Sequence, residues 1–259
     1  RDILVERRAA AIGHVRPTRG RGLGLAALIW RDVERLRRNP KMFIGLAVSL
    51  FVPYAVDALR LSQLNPLISG LALVAALVPF LGGLRVLSRT GGLARGLPFK
   101  TSALRTASMA VPAGVALLWA LAAIPAFVGV AGSGADRSLS DALIAALITA
   151  AAGLLGGVRW VTAKKVDFGM PMVATQNGAV PPALIFNLLR GIDMVALICA
   201  PLILGWSAYL SAAVIVVAFV GLRGSFNAED LRAEAAAAQR DLDSAKAERT
   251  KTKIPPPRR

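Results

Sequence analysis

The chain has 259 residues, of which 55% are hydrophobic, and its mean hydropathy of +0.58 is higher than soluble globular domains usually have. Its 31 Lys and Arg residues exceed its 15 Asp and Glu residues, and the net charge of +16 would indicate nucleic-acid binding in a soluble protein. Because the basic residues flank apolar runs and only 6% of residues are aromatic, we exclude a nucleic-acid partner and expect the charge to set membrane topology and contact anionic lipids.

Between Met42 and Leu222 the sequence consists mostly of long apolar runs separated by short loops. A helix needs about 20 apolar residues to cross the hydrocarbon core, and it pairs its own backbone polar groups there. The pattern therefore predicts an all-α, polytopic membrane bundle of about six spans. The predicted spans are 42–59, 67–84, 110–131, 141–158, a run centred on 192–205, and 207–222.

The sequence divides into four predicted segments. Residues 1–22 form a basic cytoplasmic connector, 23–40 an amphipathic elbow helix in the membrane interface, 41–223 the transmembrane bundle, and 224–259 a cytoplasmic helix with a disordered tail. The C-terminal helix carries a narrow seam of Leu and Ala, for which a weak coiled coil and a single solvated helix both remain open. The first residues resemble the middle of a cytoplasmic segment, so we expect a fragment of a longer protein.

The basic residues fall on alternate loops, which orients the predicted spans. The only basic residues in the opposite loops are Arg60 and Arg137. By the positive-inside rule both termini are predicted to be cytoplasmic, in the bacterial cytoplasmic membrane. The basic loops contain Arg31, Arg35, Arg37, Arg38, Lys41, Arg85, Arg89, Arg95, Lys100, Arg105, Arg159, Lys164, Lys165 and Arg223.

Two proline-containing sites are predicted to redirect the chain. Asn39-Pro40 ends the elbow helix, where Trp30 is expected at headgroup depth, and turns the chain into the first span. Pro79, followed by Gly82-Gly83, predicts a local kink near the cytoplasmic end of the second span. Small residues in the fourth span, Gly153, Gly156 and Gly157, predict close helix packing inside the bundle.

The loop between the second and third spans reads RVLSRTGGLARGLPFKTSALRTAS from residue 85 to 108. Leu97-Pro98 favours an extended step, and a short helix from 102 to 108 is expected to lead into the third span. Phe99 is then presented between Arg95, Lys100 and Arg105. Two interpretations remain open: a knob that docks into a cytoplasmic partner, and a basic loop that rests on lipid headgroups.

Few ionisable residues lie within the predicted spans. Asp57 is either a substrate contact or a hydrated carboxylate at the interface. Arg190 and Asp193 are three residues apart, so we expect them to pair on one helix face. For that pair, structural pairing and a charge-sensing or substrate role both remain open.

Catalytic and metal-binding motifs are absent from the sequence. Cys199 and His14 are the only residues of their types, so they cannot form a metal cluster, and we expect no cofactor. The spans lack a Ser/His or paired-Asp arrangement, and no G-x-x-x-x-G-K-[ST] phosphate loop is present. We therefore expect the protein not to be an enzyme.

The order of elements, with IWRDVERLRRNP before the first span and LARGLPFKTSALRTASMAVP after the second, resembles the permease half of ABC-2 (type V exporter-like) transporters. It looks most like large actinobacterial permeases with two such halves in one chain, of which this would be the C-terminal half. The resemblance implies an ABC-type ATPase as a partner, and a second permease half or a homodimer. It further implies that Arg95, Leu97, Pro98, Phe99 and Lys100 form the ATPase-coupling surface and that Arg31 and Arg35 anchor the elbow.

Two functions follow as expectations. The first is a permease subunit of an ATP-driven transporter, coupled through the loop between spans two and three to a separate ATPase. The alternative is a non-transporting membrane scaffold or assembly factor that recruits cytoplasmic proteins. No span carries a pattern of polar groups that defines a ligand.

Overall fold

The computed structural model describes residues 24–89, 99, 101–130, 137–163, 173–175, 178–180, 182–222 and 236. In these residues the chain is helical apart from one short antiparallel pairing of β1 (Val173–Thr175) with β2 (Gly178–Val180), which confirms the predicted helical class. The helices are α1 (Leu25–Arg38), α2 (Met42–Ala58), α3 (Asn65–Leu77), α4 (Gly82–Arg89), α5 (Thr101–Val128), α6 (Leu139–Val161), α7 (Pro182–Ile203) and α8 (Ala208–Leu222).

Each predicted apolar run contains a helix, but not every run is one straight span. Among the described residues, α5 and α6 are each long and apolar enough to cross a membrane. Two further spans result if each bent pair, α1 with α2 and α3 with α4, is counted as one, which gives up to four by length and composition. The helix α8 is apolar but shorter.

Two sharp bends separate the amphipathic helices α1 and α4 from the apolar helices α2 and α3. Helix α1 meets α2 at 85°, at the predicted Asn39-Pro40 break, where the Asn39 N–H donates to the carbonyls of Arg35 and Leu36. Helix α3 meets α4 at 72° across residues 78–81. The predicted kink at Pro79 is thus a full break; Pro79 lacks an N–H, but the prolines inside α2, α5 and α7 do not break those helices, so the missing donor is not the whole cause. The predicted span 67–84 therefore ends earlier, at Leu77.

Helix α6 lies at the centre of the bundle and packs against α3, α5 and α7. Its contact with α5 is made by small residues, which let the two backbones come close and leave room for Trp119 and Phe127. The alanines of these two helices that belong to this buried cluster are Ala116, Ala120, Ala123, Ala142, Ala145, Ala146 and Ala150.

Glycines set the spacing between α6 and its other neighbours. A methyl group at Gly153 would lie 2.8–3.0 Å from the Leu73 side chain of α3. A methyl group at Gly156 would lie 2.9 Å from the Gly191 carbonyl oxygen of α7. All three predicted glycines of this helix are buried, which confirms that they face the bundle interior.

A buried polar chain joins α2 to α3 near the turn between them. The Asn65 Nδ2 donates to the Pro53 carbonyl oxygen at 3.1 Å, and the Ser69 Oγ donates to Asn65 Oδ1 at 2.7 Å. Both side chains are buried, so these bonds satisfy groups that water does not reach. They fix the pairing of the first two apolar helices.

The predicted connector 1–22 lies outside the described residues, as do the coupling-surface residues Arg95, Leu97, Pro98 and Lys100. The predicted C-terminal segment 224–259 is described only at Ala236.

Candidate functional site around the elbow helix

The elbow helix α1 presents three different faces, which follow from its 100° turn per residue. One face packs against the bundle, mainly against α5, and Leu36 packs against the buried cluster to which Leu73 and Leu77 belong. A second face is apolar and exposed, with Trp30 40% and Val33 39% accessible. The third is charged and contains an exposed Arg31 and the Glu34–Arg38 ion pair of 3.4 Å. Such a helix suits a membrane interface, where one side meets apolar groups and another meets water.

The side chains of Asp32 and Arg35 point from the elbow toward the bundle. They lie beside Gly82 and Gly83, the first two residues of α4. The Arg35 guanidinium lies over Gly82, closer than a methyl group there would allow. The Asp32 carboxylate oxygens lie 3.0 Å from the position of a methyl group at Gly83. Arg35, expected as an anchor beside Arg31, therefore faces the protein, whereas Arg31 is exposed.

The pKa of Asp32 is raised above its usual value of 3.8. Burial is the main cause, since it disfavours the charged carboxylate, and the neighbouring Arg31 and Arg35 act in the opposite direction. Asp32 is therefore a partly desolvated group in a contact between two helices.

Phe99 lies against Gly24, the residue just before the elbow helix. Its ring carbon Cζ lies 3.6 Å from the position of a methyl group at Gly24, and the side chain is half-buried. Gly24 has φ +65°, ψ −132°, a backbone conformation that side chains disfavour, so glycine is needed there. Phe99 thus lies close to the start of the elbow, and both interpretations of the sequence around it remain open.

Arg105, predicted to flank Phe99, is only 9% exposed and lies in the first part of α5. It lines a small cavity with volume ≈ 20 Å³, about enough for one water molecule. The other lining residues are mostly apolar: Leu84, Thr106, Met109, Leu155, Val158, Phe219 and Leu222. Loop sequence alone does not reveal this burial, because it depends on how α4, α6 and α8 pack around α5.

Asp193 pairs with a different arginine from the predicted one. The Arg159 Nη2 of α6 donates to Asp193 Oδ2 at 2.6 Å, and Arg159 Nε donates to the Arg190 carbonyl oxygen at 2.9 Å. Arg190 thus contributes its backbone to this contact between helices. The expected pair within α7 is replaced because α6 and α7 cross closely at Gly156 and Gly191, which brings the Arg159 guanidinium within 2.6 Å of Asp193.

Asp57 is 1% exposed in the last turn of α2, so the interpretation of a hydrated interfacial carboxylate is wrong. Among the described residues, no group of three or more His, Cys, Asp or Glu side chains is arranged to hold a metal ion. The charged side chains Asp32, Arg35, Arg159 and Asp193 thus lie in contacts between helices.

These features define a class: a helical protein with apolar helices long enough to cross a membrane and an amphipathic elbow helix set at a right angle before them. Residues 1–171 match the model of DUF6297, a family of unknown function, and the chain belongs to this family. No curated protein and no solved structure matches the chain significantly.

Proposed function

We propose that this protein is the permease subunit of an ATP-driven, ABC-type transporter, with six spans and both termini in the cytoplasm. A separate ATPase would bind the 90–100 loop, with Arg95, Leu97, Pro98, Phe99 and Lys100 as the coupling surface. The observation that carries the proposal is the contact of Phe99 with Gly24, which joins this loop to an elbow helix bent 85° from the first apolar helix.

The residues on either side of this loop contact the elbow or the residue before it, which favours a role in coupling. On one side, α4 precedes the loop and contacts the elbow through Gly82 and Gly83. On the other side, Phe99 contacts Gly24 just before α5 begins. A loop with a fixed base passes a displacement on to the helices that it joins, whereas a loose loop absorbs it.

Charge distribution supports the cytoplasmic assignment of this face. The elbow, the 90–100 loop and the end of α6 are rich in Arg and Lys, and the opposite connections contain only Arg60 and Arg137. On this assignment Trp30, Arg31 and the exposed Arg37 of the elbow contact the headgroups of anionic lipids.

Exposed apolar surface supports burial in a bilayer and a second permease half or homodimer. One side of α2 is exposed at Phe43, Ile44, Val48 and Phe51. A contiguous apolar surface of this kind marks a lipid or protein contact. Because the sequence contains no phosphate loop, ATP hydrolysis is assigned to the partner subunit.

The test is photocrosslinking from native membranes with a photoreactive amino acid at Phe99. We expect a crosslink to a protein that carries ATP-binding-cassette motifs. The matched control places the same amino acid at Trp206, in the turn between α7 and α8 at the other end of the bundle, where no ATPase crosslink is expected. Crosslinks from Phe99 to lipid alone, or to proteins without nucleotide-binding motifs, would favour the scaffold alternative.

A further inference from the structure

The elbow helix and α4 are joined by two charged side chains on a glycine pair. Asp32 and Arg35 are one turn apart on α1, and they lie beside Gly83 and Gly82 of α4. Leu36, next to Arg35, packs on the core. The contact therefore links the cytoplasmic extension of the first apolar helix to that of the second.

The guanidinium of Arg35 occupies the space that a side chain at position 82 would take, so an alanine there would displace this flexible group. A methyl group there would overlap the guanidinium nitrogens, whereas a methyl group at Gly45 or Gly114 meets no atom within 4 Å. The carboxylate oxygens of Asp32 lie 3.0 Å from the position of a methyl group at Gly83, in the first turn of α4. Both contacts thus depend on the absence of side chains at the start of α4.

Each of the two joined helices is separated from its apolar helix by a break. Residues 39–41 separate α1 from α2 at 85°, and residues 78–81 separate α3 from α4 at 72°. Pro40 and Pro79 remove backbone donors at these breaks, which makes them natural places for a change of angle.

We propose that α1 and α4 move as one body, clamped by Asp32 and Arg35 on Gly82 and Gly83, so that the two bends change together. A displacement of the 90–100 loop, which follows α4 directly, then tilts the elbow as well as the second apolar helix. This device follows from the fold alone and stands whether or not the partner of the loop is an ATPase.

The experiment measures the distance between a spin label on α1 and a spin label on α4 by double electron–electron resonance, on the full chain in lipid nanodiscs. Spin labels are attached at Ala27→Cys on the elbow and Arg85→Cys on α4, both exposed, in a Cys199→Ala background. The clamp variants are Gly82→Ala, which displaces the guanidinium, and Arg35→Ala, which removes it without adding bulk. Gly45→Ala and Gly114→Ala are the matched controls. A second label pair at Leu61→Cys and Leu139→Cys, at the other end of the bundle, reports on the fold.

We expect one narrow distance distribution for the 27–85 pair in the unmodified clamp and in both controls. Gly82→Ala and Arg35→Ala should each give a broader distribution, while the 61–139 distance stays narrow. A broad 27–85 distribution in the unmodified clamp would overturn the proposal, and so would an unchanged narrow one in both clamp variants. If Gly82→Ala also broadens the 61–139 distance, the variant is misfolded and Arg35→Ala alone decides.

Discussion

Gly156 and Gly191 show how two missing side chains set the distance between α6 and α7. The carbonyl oxygen of Gly191 lies 2.9 Å from a methyl position at Gly156, and the carbonyl of Gly156 lies 3.1 Å from a methyl position at Gly191. Backbone atoms cannot rotate away as side chains do, so an added methyl group must separate the helices. That separation would also lengthen the contact of Arg159 with Asp193.

Gly156→Ala is therefore expected to lower the free energy of unfolding by roughly 1–3 kcal/mol, as overpacking in a close-packed interior does. Gly114→Ala, which adds a methyl group in open space, should change it by less than about 0.5 kcal/mol. Thermal unfolding in detergent, followed by tryptophan fluorescence, measures both variants. Equal transitions for the two would show that α6 and α7 do not touch at this glycine.

Asp32 gives a prediction about pH. Its pKa is raised in the folded protein by burial, so the fold favours the neutral carboxyl. The neutral Asp32 carboxyl therefore contributes to the free energy of unfolding in full below the ordinary pKa of 3.8. This contribution is lost as the pH rises through the pKa that Asp32 has in the folded protein. Asp32→Asn, which mimics the neutral carboxyl, should unfold at a higher temperature than the unmodified protein at neutral pH, and the difference should vanish at acid pH.

The check is the melting temperature of both proteins across a pH series. Glu34→Gln, on the exposed charged face of the same helix, is the control for a simple change of charge. If Asp32→Asn melts below the unmodified protein at neutral pH, attraction to Arg31 and Arg35 outweighs the cost of burial.

At the scale of elements, the sequence predicts where the elbow helix ends but not which residues of other helices it contacts. The Asn39-Pro40 pair defined its end, because proline cannot continue a helix, and the helix spans Leu25–Arg38. The inward turn of Asp32 and Arg35 was not predictable from periodicity. Their glycine partners lie far along the sequence, and their positions are set by the break at residues 78–81.

The elbow is expected to lie at headgroup depth. Trp30 becomes the single tryptophan when Trp119, Trp160 and Trp206 are replaced by Phe, and brominated lipids report its depth. Bromines near the headgroup should quench Trp30 more strongly than bromines near the chain ends. A single-tryptophan variant that retains only Trp119, which is 2% exposed, is the protected control. No quenching of Trp30 by any brominated lipid would place the elbow in water.

At the scale of the whole molecule, the proposed topology makes successive connections alternate between the two sides of the membrane. Single cysteines in a Cys199→Ala background sample one connection each, at Arg38, Leu61, Ser88, Leu139, Ala163 and Trp206. A membrane-impermeant maleimide added outside intact cells should label positions 61, 139 and 206. Positions 38, 88 and 163 should react only after permeabilisation. Two successive positions labelled from the same side would contradict six spans.

The sequence by itself determined the helical class, the positions of the apolar helices and the break after the elbow. These features are local: apolar runs favour helices that pair their own backbone groups, and the elbow ends at Asn39-Pro40, where proline lacks the N–H that would continue it. Only the tertiary structure decided that Asp193 pairs with Arg159, 34 residues away, that Arg105 is buried, and that Arg35 lies on Gly82. Each of these depends on how helices distant in sequence cross, and the crossings are set by small residues whose contacts no local pattern specifies.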